Sequence, residues 1–241
     1  MALGARLLFV PVAIAFVHAV PSVAALGQWT PLRTVRGWCR WRGPDTRHVA
    51  LTFDDGPDRA TTPLVLDRLD ALGLRATFFD LGDRVHEAAD VLADAVLRGH
   101  EIGLHGFAHA HHLARTPRWV LRDLDAGLEA LADCGIEPRW YRPPYGQLSL
   151  GTMIAARRRG LGVVHWSAWG REWDEPDADA VAARVCRSLE PGAIVLLHDS
   201  DDTSPPGSVV RAADALDRIA DELRRRDLTA TTLSDLVACA S

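Results

Sequence analysis

Two histidines and a pair of adjacent aspartates have the types and the spacing of a catalytic metal site. His105 and His109 are four residues apart, close to one helical turn, so both imidazole rings can face a single ion. Asp55 offers a third ligand, and two histidines with one carboxylate leave positions open for water and substrate. Three further histidines lie nearby at positions 100, 111 and 112, so a group of surface histidines is the alternative interpretation.

The other aspartate of the pair is a candidate general base. Asp54 precedes Asp55, and consecutive residues of an extended chain point in different directions. One carboxylate can therefore bind a metal while the other takes a proton, its ionised form favoured by the charge of the metal. The alternative is that the Asp-Asp-Gly-Pro run at positions 54–57 is simply a turn, since these residues favour turns.

One further histidine is a candidate general acid. His198 follows a very apolar run at positions 194–197, and a histidine there can donate a proton to a leaving group. A hydrogen-bonded histidine of the core is the alternative.

The elements that must position these residues begin at residue 48, where short apolar runs alternate with amphipathic stretches. This alternation predicts parallel strands joined by right-handed crossovers. We expect a single α/β domain at residues 48–241, built as a closed or nearly closed β/α barrel, with an open doubly wound sheet as the alternative. The predicted strands are 49–53, 76–79, 101–104, 139–142, 162–166, 193–197 and 228–231, and the predicted helices are 62–72, 87–98, 118–132, 150–159, 178–188 and 209–226.

The unusual polar residues form clusters, and each cluster follows one of the predicted strands. In a β/α barrel the carboxyl ends of the strands converge on one mouth, where active sites are built. The clusters, in chain order, are Asp54 and Asp55, then His105 and His109, then Arg142 to Tyr145, then Trp169 to Trp173, then His198 and Asp199.

These clusters resemble, in order, the five sequence motifs of the polysaccharide deacetylases, which form carbohydrate esterase family four. The resemblance implies a distorted (β/α)7 barrel that removes N-acetyl groups from N-acetylglucosamine-type polysaccharides or oligosaccharides. The matching segments are 52–57 (Thr-Phe-Asp-Asp-Gly-Pro), 105–109 (His-Gly-Phe-Ala-His), 142–146 (Arg-Pro-Pro-Tyr-Gly), 166–173 and 195–199 (Val-Leu-Leu-His-Asp).

The resemblance also implies a role for each matching residue. One divalent metal is expected, zinc first, although the mixed nitrogen and oxygen ligands also admit cobalt, nickel or manganese. The reaction would be direct attack by metal-bound water, without a covalent intermediate. The implied roles are metal ligands for Asp55, His105 and His109, general base for Asp54, general acid for His198, orientation of the base by Arg142, and oxyanion binding by the backbone N–H of Tyr145.

The sequence departs from the family pattern at two places. Gly106 stands where the family has Ser or Thr, which predicts the loss of a supporting hydrogen bond rather than of a ligand. The fourth motif is usually Asp-x-x-Asp-Trp, and here it runs from Trp169 to Trp173 with Glu172 at the second acidic position. Glu172 can replace the aspartate that partners the catalytic histidine, although its side chain is one methylene longer. Trp169 can stack on a sugar ring, whereas Trp166 and Trp173 suit a packing role at least as well.

Composition narrows the remaining possibilities. All 27 basic residues are Arg, so Schiff-base chemistry and a P-loop lysine are excluded. The net charge of −5 gives no basic field for nucleic acid. The four cysteines contain no CxxC pair, which favours small buried side chains over a zinc site and leaves disulfides open.

We expect a monomer that binds an acetylated carbohydrate. An amide hydrolase of non-sugar substrates and a non-catalytic sugar-binding relative are the alternatives.

Residues 1–26 form a hydrophobic segment, followed by a lead-in segment at 27–47 that is rich in Trp and Arg. Arg6 precedes an apolar run at 7–17 that continues less regularly to 26. Small residues at 22–24 resemble a signal-peptidase site. The run is almost long enough for a membrane helix, although two prolines and a histidine interrupt it. An arm packed on the domain is the third interpretation, and it would leave the protein cytoplasmic.

We predict that the hydrophobic segment, through residues 7–26, directs the protein to the membrane or beyond it. The reason is the positive residue followed by an apolar run, together with a substrate class that lies in cell envelopes. Cell fractionation measures the location directly. Recovery of the protein only in the soluble cytoplasmic fraction, with its first 25 residues intact, would contradict the prediction.

Overall fold

The computed structural model describes residues 39–44 and 47–238. The strands are β1 His48–Asp54, β2 Thr77–Asp80, β3 Glu101–Leu104, β4 Trp140–Tyr141, β5 Gly162–Val163, β6 Ala168–Trp169, β7 Ile194–His198 and β8 Thr229–Thr231. The α-helices are α1 Thr62–Leu72, α2 Gly82–Val85, α3 Ala89–Leu97, α4 Pro117–Asp133, α5 Leu150–Arg158, α6 Ala178–Arg187, α7 Ser208–Arg225 and α8 Leu233–Ala238. Short 3₁₀ turns occupy His112–Ala114 and Pro144–Gly146.

The strands form one parallel sheet in the order β5-β4-β3-β2-β1-β7-β6. Strand β1 is central, and its register places Asp54 level with His198 of β7 and with Phe79 of β2. Strand β8 pairs with residues 48–50 of β1, and β2 pairs with residues 52–54 of the same strand. Because every pairing is parallel, the carboxyl ends of all the main strands lie at one end of the sheet.

The sheet is buried on both faces, which explains the continuous apolar runs of its central strands. All residues of β1 after His48 are buried, as are all four residues of β2. The helices cover the outer face with apolar residues at intervals of three and four, the spacing of one helical face. In α7 this face consists of Val209, Ala212, Leu216, Ile219 and Leu223.

Helix α8 closes the amino-terminal end of the sheet. Its Leu233 and Leu236 pack inside the curl of the sheet with Ile194. The backbone N–H of Leu233 donates to Thr77 Oγ1 at 2.9 Å, and that of Ser234 donates to Glu101 Oε2 at 3.0 Å. Thr77 and Glu101 begin β2 and β3, so the opposite end is the one left for a site.

Among the described residues no pairing joins β5 to β6, and residues 39–43 of the lead-in segment cross this gap. Arg40 forms a parallel bridge with Val164, and Arg42 forms an antiparallel bridge with Ala193. The N–H of Gly43 donates to Gly192 O at 2.7 Å. The sheet is therefore a curled, open barrel whose gap is spanned by residues 39–43.

The predicted single-domain α/β fold with a distorted barrel is confirmed. Six predicted helices occur within two residues of their predicted ends. The prediction missed α2, α8 and β6, and it made β5 too long, because the chain leaves the sheet after Val163 and returns only at Ala168.

The predictions for the hydrophobic segment and for the cysteines are tested only in part, because some of these residues are not described. No helix in the described part of the chain is long and apolar enough to cross a membrane. Residues 1–26 lie outside the described residues, so their role stays a prediction. Cys39, Cys134 and Cys186 are free, and Cys239 is not described.

Candidate active site

A cleft of about 320 Å³ opens at the carboxyl ends of the strands. Six of the eight predicted site residues line it, and the other two, Arg142 and Glu172, are fully buried behind it. The lining residues are Asp54, Asp55, His105, His109, Tyr145, Gly146, Trp166, Trp169, Trp173, Leu196, His198, Thr203 and Ser204.

The backbone at the end of β1 separates the two neighbouring carboxylates. Asp54 is the last residue of the strand, and Asp55 takes a left-handed conformation with φ of 79°. Few residues other than glycine adopt this conformation, although aspartate is among the more tolerant. Asp54 therefore points towards Arg142, while Asp55 points towards the two histidines of the predicted metal site.

Asp55, His105 and His109 form a compact set of possible metal ligands. Asp55 Oδ1 lies 3.3 Å from Nε2 of His105 and 3.3 Å from Nε2 of His109. One ligand atom from each residue fits within 4.8 Å of the others. Asp55 Oδ1 is buried and has no hydrogen-bond donor. A buried carboxylate oxygen between two imidazole nitrogens fits a divalent cation that all three would share.

The surroundings hold these residues in the form that binds metal. Burial favours the neutral carboxyl of Asp55, but the neighbouring imidazoles of His105, His198 and His109 hold its pKa well below its usual range. Burial lowers the pKa of His109 to about 4. His105 Nδ1 donates to the carbonyl of Arg142 at 2.8 Å, which leaves Nε2 free to face the cleft. A metal needs ionised carboxylates and neutral imidazoles, and the shifts of Asp55 and His109 are in these directions.

Thr203 is a site residue that sequence reasoning missed. Its hydroxyl donates to Asp55 Oδ2 and so fixes the carboxylate with Oδ1 towards the histidines. The residue lies in the loop between β7 and α7, in a Ser-Asp-Asp-Thr run typical of an ordinary turn. No pattern in the sequence distinguishes it.

Asp54 makes a fully buried ion pair with Arg142. The guanidinium Nη1 donates to Asp54 Oδ1 at 2.6 Å and to Thr52 Oγ1 at 2.8 Å. Nη2 donates to the backbone carbonyl of His165 at 3.2 Å, and the guanidinium lies over the ring of Phe79 at 4.2 Å. Arg142 therefore fixes one oxygen of the carboxylate and leaves the other towards the cleft.

His198 is paired with Glu172, the residue that replaces the aspartate of the family motif. His198 Nδ1 lies 2.7 Å from Glu172 Oε1, and Glu172 has no exposed surface. The longer side chain thus reaches the histidine. Burial alone would lower the pKa of His198, but the charge and hydrogen bond of Glu172, with the charges of Asp55 and Asp54, raise it to about 9. Since Nδ1 bonds to the carboxylate, Nε2 is the nitrogen that carries the exchangeable proton.

Tyr145 lies in the 3₁₀ turn on the other side of the cleft. It has φ of 57°, and its side chain is 48% exposed and stacks on His111 with a centroid distance of 3.8 Å. The turn closes through the N–H of Gly146, which donates to Pro143 O at 2.9 Å. The turn brings Tyr145 to the lining of the cleft.

Gly106 departs from the family pattern for a visible reason. Its φ is 102°, and a Cβ there would lie 2.9 Å from Asp123 Oδ2. The carboxylate of Asp123, from α4, accepts the N–H groups of Phe107 and Ala108 at 3.1 Å each. Support for the loop that carries His109 thus comes from a buried acid, which sequence reasoning did not identify.

Three tryptophans form one wall of the cleft. The ring centroids of Trp166 and Trp169 are 5.9 Å apart, as are those of Trp169 and Trp173. Trp173 meets His198 edge-on at 5.2 Å. The guanidinium of Arg171 lies 5.2 Å from the ring of Trp169. An aromatic wall beside a polar floor suits a ligand with both apolar faces and hydroxyl groups.

The fold and the site together fit a hydrolase, with a buried carboxylate and a histidine as candidate base and acid beside three possible metal ligands. Comparison with known proteins places it more narrowly. A polysaccharide deacetylase family model matches residues 42–164. A chitooligosaccharide deacetylase from Bradyrhizobium is 36% identical over 175 residues, which cover 72% of this chain and 78% of that protein.

Two solved structures share the fold. A peptidoglycan N-acetylglucosamine deacetylase in complex with a hydroxamate-type benzamide has a TM-score of 0.80 and 30% identity, covering 87% of this chain and 98% of that one. A family 4 acetyl xylan esterase from Clostridium thermocellum, in complex with a cobalt ion, has a TM-score of 0.73 and 31% identity, covering 80% and 91%.

The chain belongs to the polysaccharide deacetylase family. This confirms the family and the enzyme class predicted from the five motifs.

The pairing of His198 with Glu172 predicts the alkaline limb of the pH profile. A raised pKa keeps His198 protonated at neutral pH, and the acid form is lost as the pH rises through about 9. In Glu172→Gln the negative charge is absent, so the pKa of His198 falls and the alkaline limb of kcat/KM moves to lower pH. The acid limb, which belongs to the base, should stay in place.

The measurement is kcat/KM for acetate release across the pH range, with Glu175→Gln as the matched control. Glu175 pairs with Arg184 instead of with a site residue, so its variant should keep both limbs. An unchanged alkaline limb in Glu172→Gln would show that Glu172 does not support the acid.

Proposed function

We propose that this protein removes N-acetyl groups from N-acetylglucosamine-type polysaccharides or oligosaccharides by metal-assisted hydrolysis. The observation that carries the proposal is the pairing of Asp54 and His198 on adjacent strands at the floor of one cleft. One has a buried arginine partner and the other a buried glutamate. Together they form a base and an acid able to act on the two sides of one amide bond.

The metal belongs with Asp55, His105 and His109. When bound there, it supplies Lewis acidity that polarises a carbonyl and lowers the pKa of water. Two imidazoles and one carboxylate suit zinc and also admit cobalt, nickel or manganese. Within the chain, Thr203 and the Arg142 carbonyl orient these ligands through hydrogen bonds to Asp55 Oδ2 and His105 Nδ1.

Asp54 takes the proton of the attacking water. Its Oδ1 is held by Arg142 at 2.6 Å, so this charge-assisted hydrogen bond fixes the orientation of the carboxylate. The backbone N–H of Tyr145, a residue that lines the cleft, stabilises the oxyanion of the tetrahedral intermediate in this proposal. These roles need no covalent bond between the protein and the substrate.

His198 donates a proton to the departing amine through Nε2. Expulsion of an amine requires its protonation more than expulsion of an alcohol does, because the amide anion is the poorer leaving group. A histidine held protonated by a fully buried glutamate meets that requirement. This favours N-acetyl over O-acetyl substrates. The tryptophan wall favours a sugar over a non-sugar amide, since aromatic faces pack against the apolar faces of pyranose rings.

The metal assignment predicts the behaviour of His109→Ala. Loss of one of three ligands should greatly lower the zinc content after purification, with the circular dichroism spectrum unchanged. His111→Ala is the matched control, because His111 stacks on Tyr145 and is not one of the three ligand residues. Full zinc occupancy in His109→Ala would overturn the assignment.

The division of roles between the two aspartates predicts different phenotypes for Asp54→Asn and Asp55→Asn. Asp54→Asn keeps the shape and removes the base, so acetate release from an N-acetylglucosamine oligosaccharide should fall about 10²–10⁴-fold while metal stays bound. Asp55→Asn should lose metal and activity together. Acetate and metal are measured on the same preparations. Near-normal acetate release by Asp54→Asn would show that the proposed mechanism is wrong.

A further inference from the structure

His165 joins the lead-in segment to two parts of the proposed catalytic machinery. Its ring is buried between Cys39 and Gly146, with Nδ1 3.1 Å from Cys39 Sγ and Nε2 3.1 Å from the carbonyl of Gly146. Its backbone N–H donates to Arg40 O at 2.7 Å, and its backbone carbonyl accepts from Arg142. Both Cys39 and His165 lie outside residues 42–164, which the family model matches.

The chemistry of these partners fixes the proton positions on the ring. The Gly146 carbonyl can only accept, so His165 Nε2 must carry the hydrogen. In a neutral ring Nδ1 is then an acceptor, and the Cys39 thiol is the donor that reaches it. Burial, with the nearby Arg142, lowers the pKa of His165 to about 4, and burial raises the pKa of Cys39 to about 12. Both groups are therefore neutral, as the chain of two hydrogen bonds requires.

The two hydrogen bonds, from Cys39 to His165 and from His165 to Gly146, end at the turn that carries Tyr145. Tyr145 and Gly146 have φ of 57° and 63°, so two consecutive residues are in the left-handed region. Such a conformation persists in a non-glycine residue when the surrounding structure holds it. His165 holds the turn through the Gly146 carbonyl, and the ring of Trp166 lies so close that a Cβ on Gly146 would be 2.9 Å from it.

We infer that Cys39 and His165 are positioning residues that hold the Pro144–Gly146 turn, so that the Tyr145 N–H faces the oxyanion. This inference rests on the proposed function, because it assigns the Tyr145 N–H to the oxyanion. Under this inference, residues 39–41 of the lead-in segment are needed for full activity of the barrel domain. Neither side chain lines the cleft, so neither touches the substrate.

The tautomer gives a test that does not depend on activity. In the ¹⁵N-labelled wild-type protein, with the His165 signal identified by its loss in His165→Gln, we expect a neutral ring protonated at Nε2 across neutral pH. A ring protonated at Nδ1, or one that titrates near pH 6.5, would overturn the inference. This result stands even if the wild type releases no acetate, the outcome that would instead defeat the proposed function.

Kinetics test the positioning role. His165→Leu should lower kcat for acetate release about 10²-fold, the scale of a lost oxyanion donor, with KM and metal content within twofold. His165→Gln should restore kcat to within about fivefold, because its amide N–H can reach the Gly146 carbonyl. Cys39→Ser keeps a donor to Nδ1 and should match the wild type, whereas Cys39→Ala should lose about fivefold.

Affinity for a tetrahedral phosphonamidate analogue separates positioning from general stability. Its Kd should weaken in proportion to kcat/KM across these variants, while the Kd of acetate stays constant. His100→Leu is the control, since His100 is buried at the opposite end of the sheet and accepts from the N–H of Ala76. It should lower the melting temperature without changing kcat. Unchanged kcat in both His165→Leu and Cys39→Ala, or equal weakening of both ligands, would overturn the inference.

Discussion

The burial of two carboxylates at the end of one strand is the constraint on which the rest of the site depends. An ionised carboxylate withdrawn from water is strongly destabilised unless it is paired or hydrogen-bonded. Asp54 and Asp55 are both buried, and the left-handed backbone at Asp55 turns the two carboxylates towards different main partners, although His105 Nε2 lies 3.9 Å from Asp54 Oδ2 as well as 3.3 Å from Asp55 Oδ1. The cost of burying each carboxylate is therefore offset by different neighbours, an arginine for Asp54 and a pair of histidines for Asp55.

Arg142 couples the two halves of this arrangement. Its guanidinium bonds to the base, while its backbone carbonyl accepts from His105 Nδ1. The position of the base and the orientation of a metal ligand are thus set by one residue of one strand end. His198, the proposed acid, is stabilised separately, because it has its own buried partner in Glu172. Asp54 and His198, the proposed base and acid, thus have separate buried partners, as residues with opposite roles in proton transfer require.

The sequence predicted the helices and the convergence of the polar clusters well, because both depend on local periodicity and on the parallel order of strands. What it did not reveal depends on contacts between distant residues. Strand β6 is two residues long, too short for a periodic pattern. Thr203, Asp123 and His165 look like turn, surface or core residues, and their roles follow only from the register that brings them to Asp55, the His109 loop and the Gly146 turn.

The two departures from the family motifs, at Gly106 and Glu172, can be interpreted from the residues that surround them in the structure. Gly106 lacks the usual hydroxyl, yet any side chain there would meet Asp123, which itself accepts two backbone N–H groups of the loop. Glu172 is longer than the usual aspartate, yet its carboxylate meets His198 at 2.7 Å. Glu172 thus makes the contact expected of the motif aspartate, and at Gly106 the loop is supported by Asp123 instead. These departures therefore give no support to a decayed site, because Asp54, His198 and Asp55, the proposed base, acid and metal ligand, each keep a buried partner.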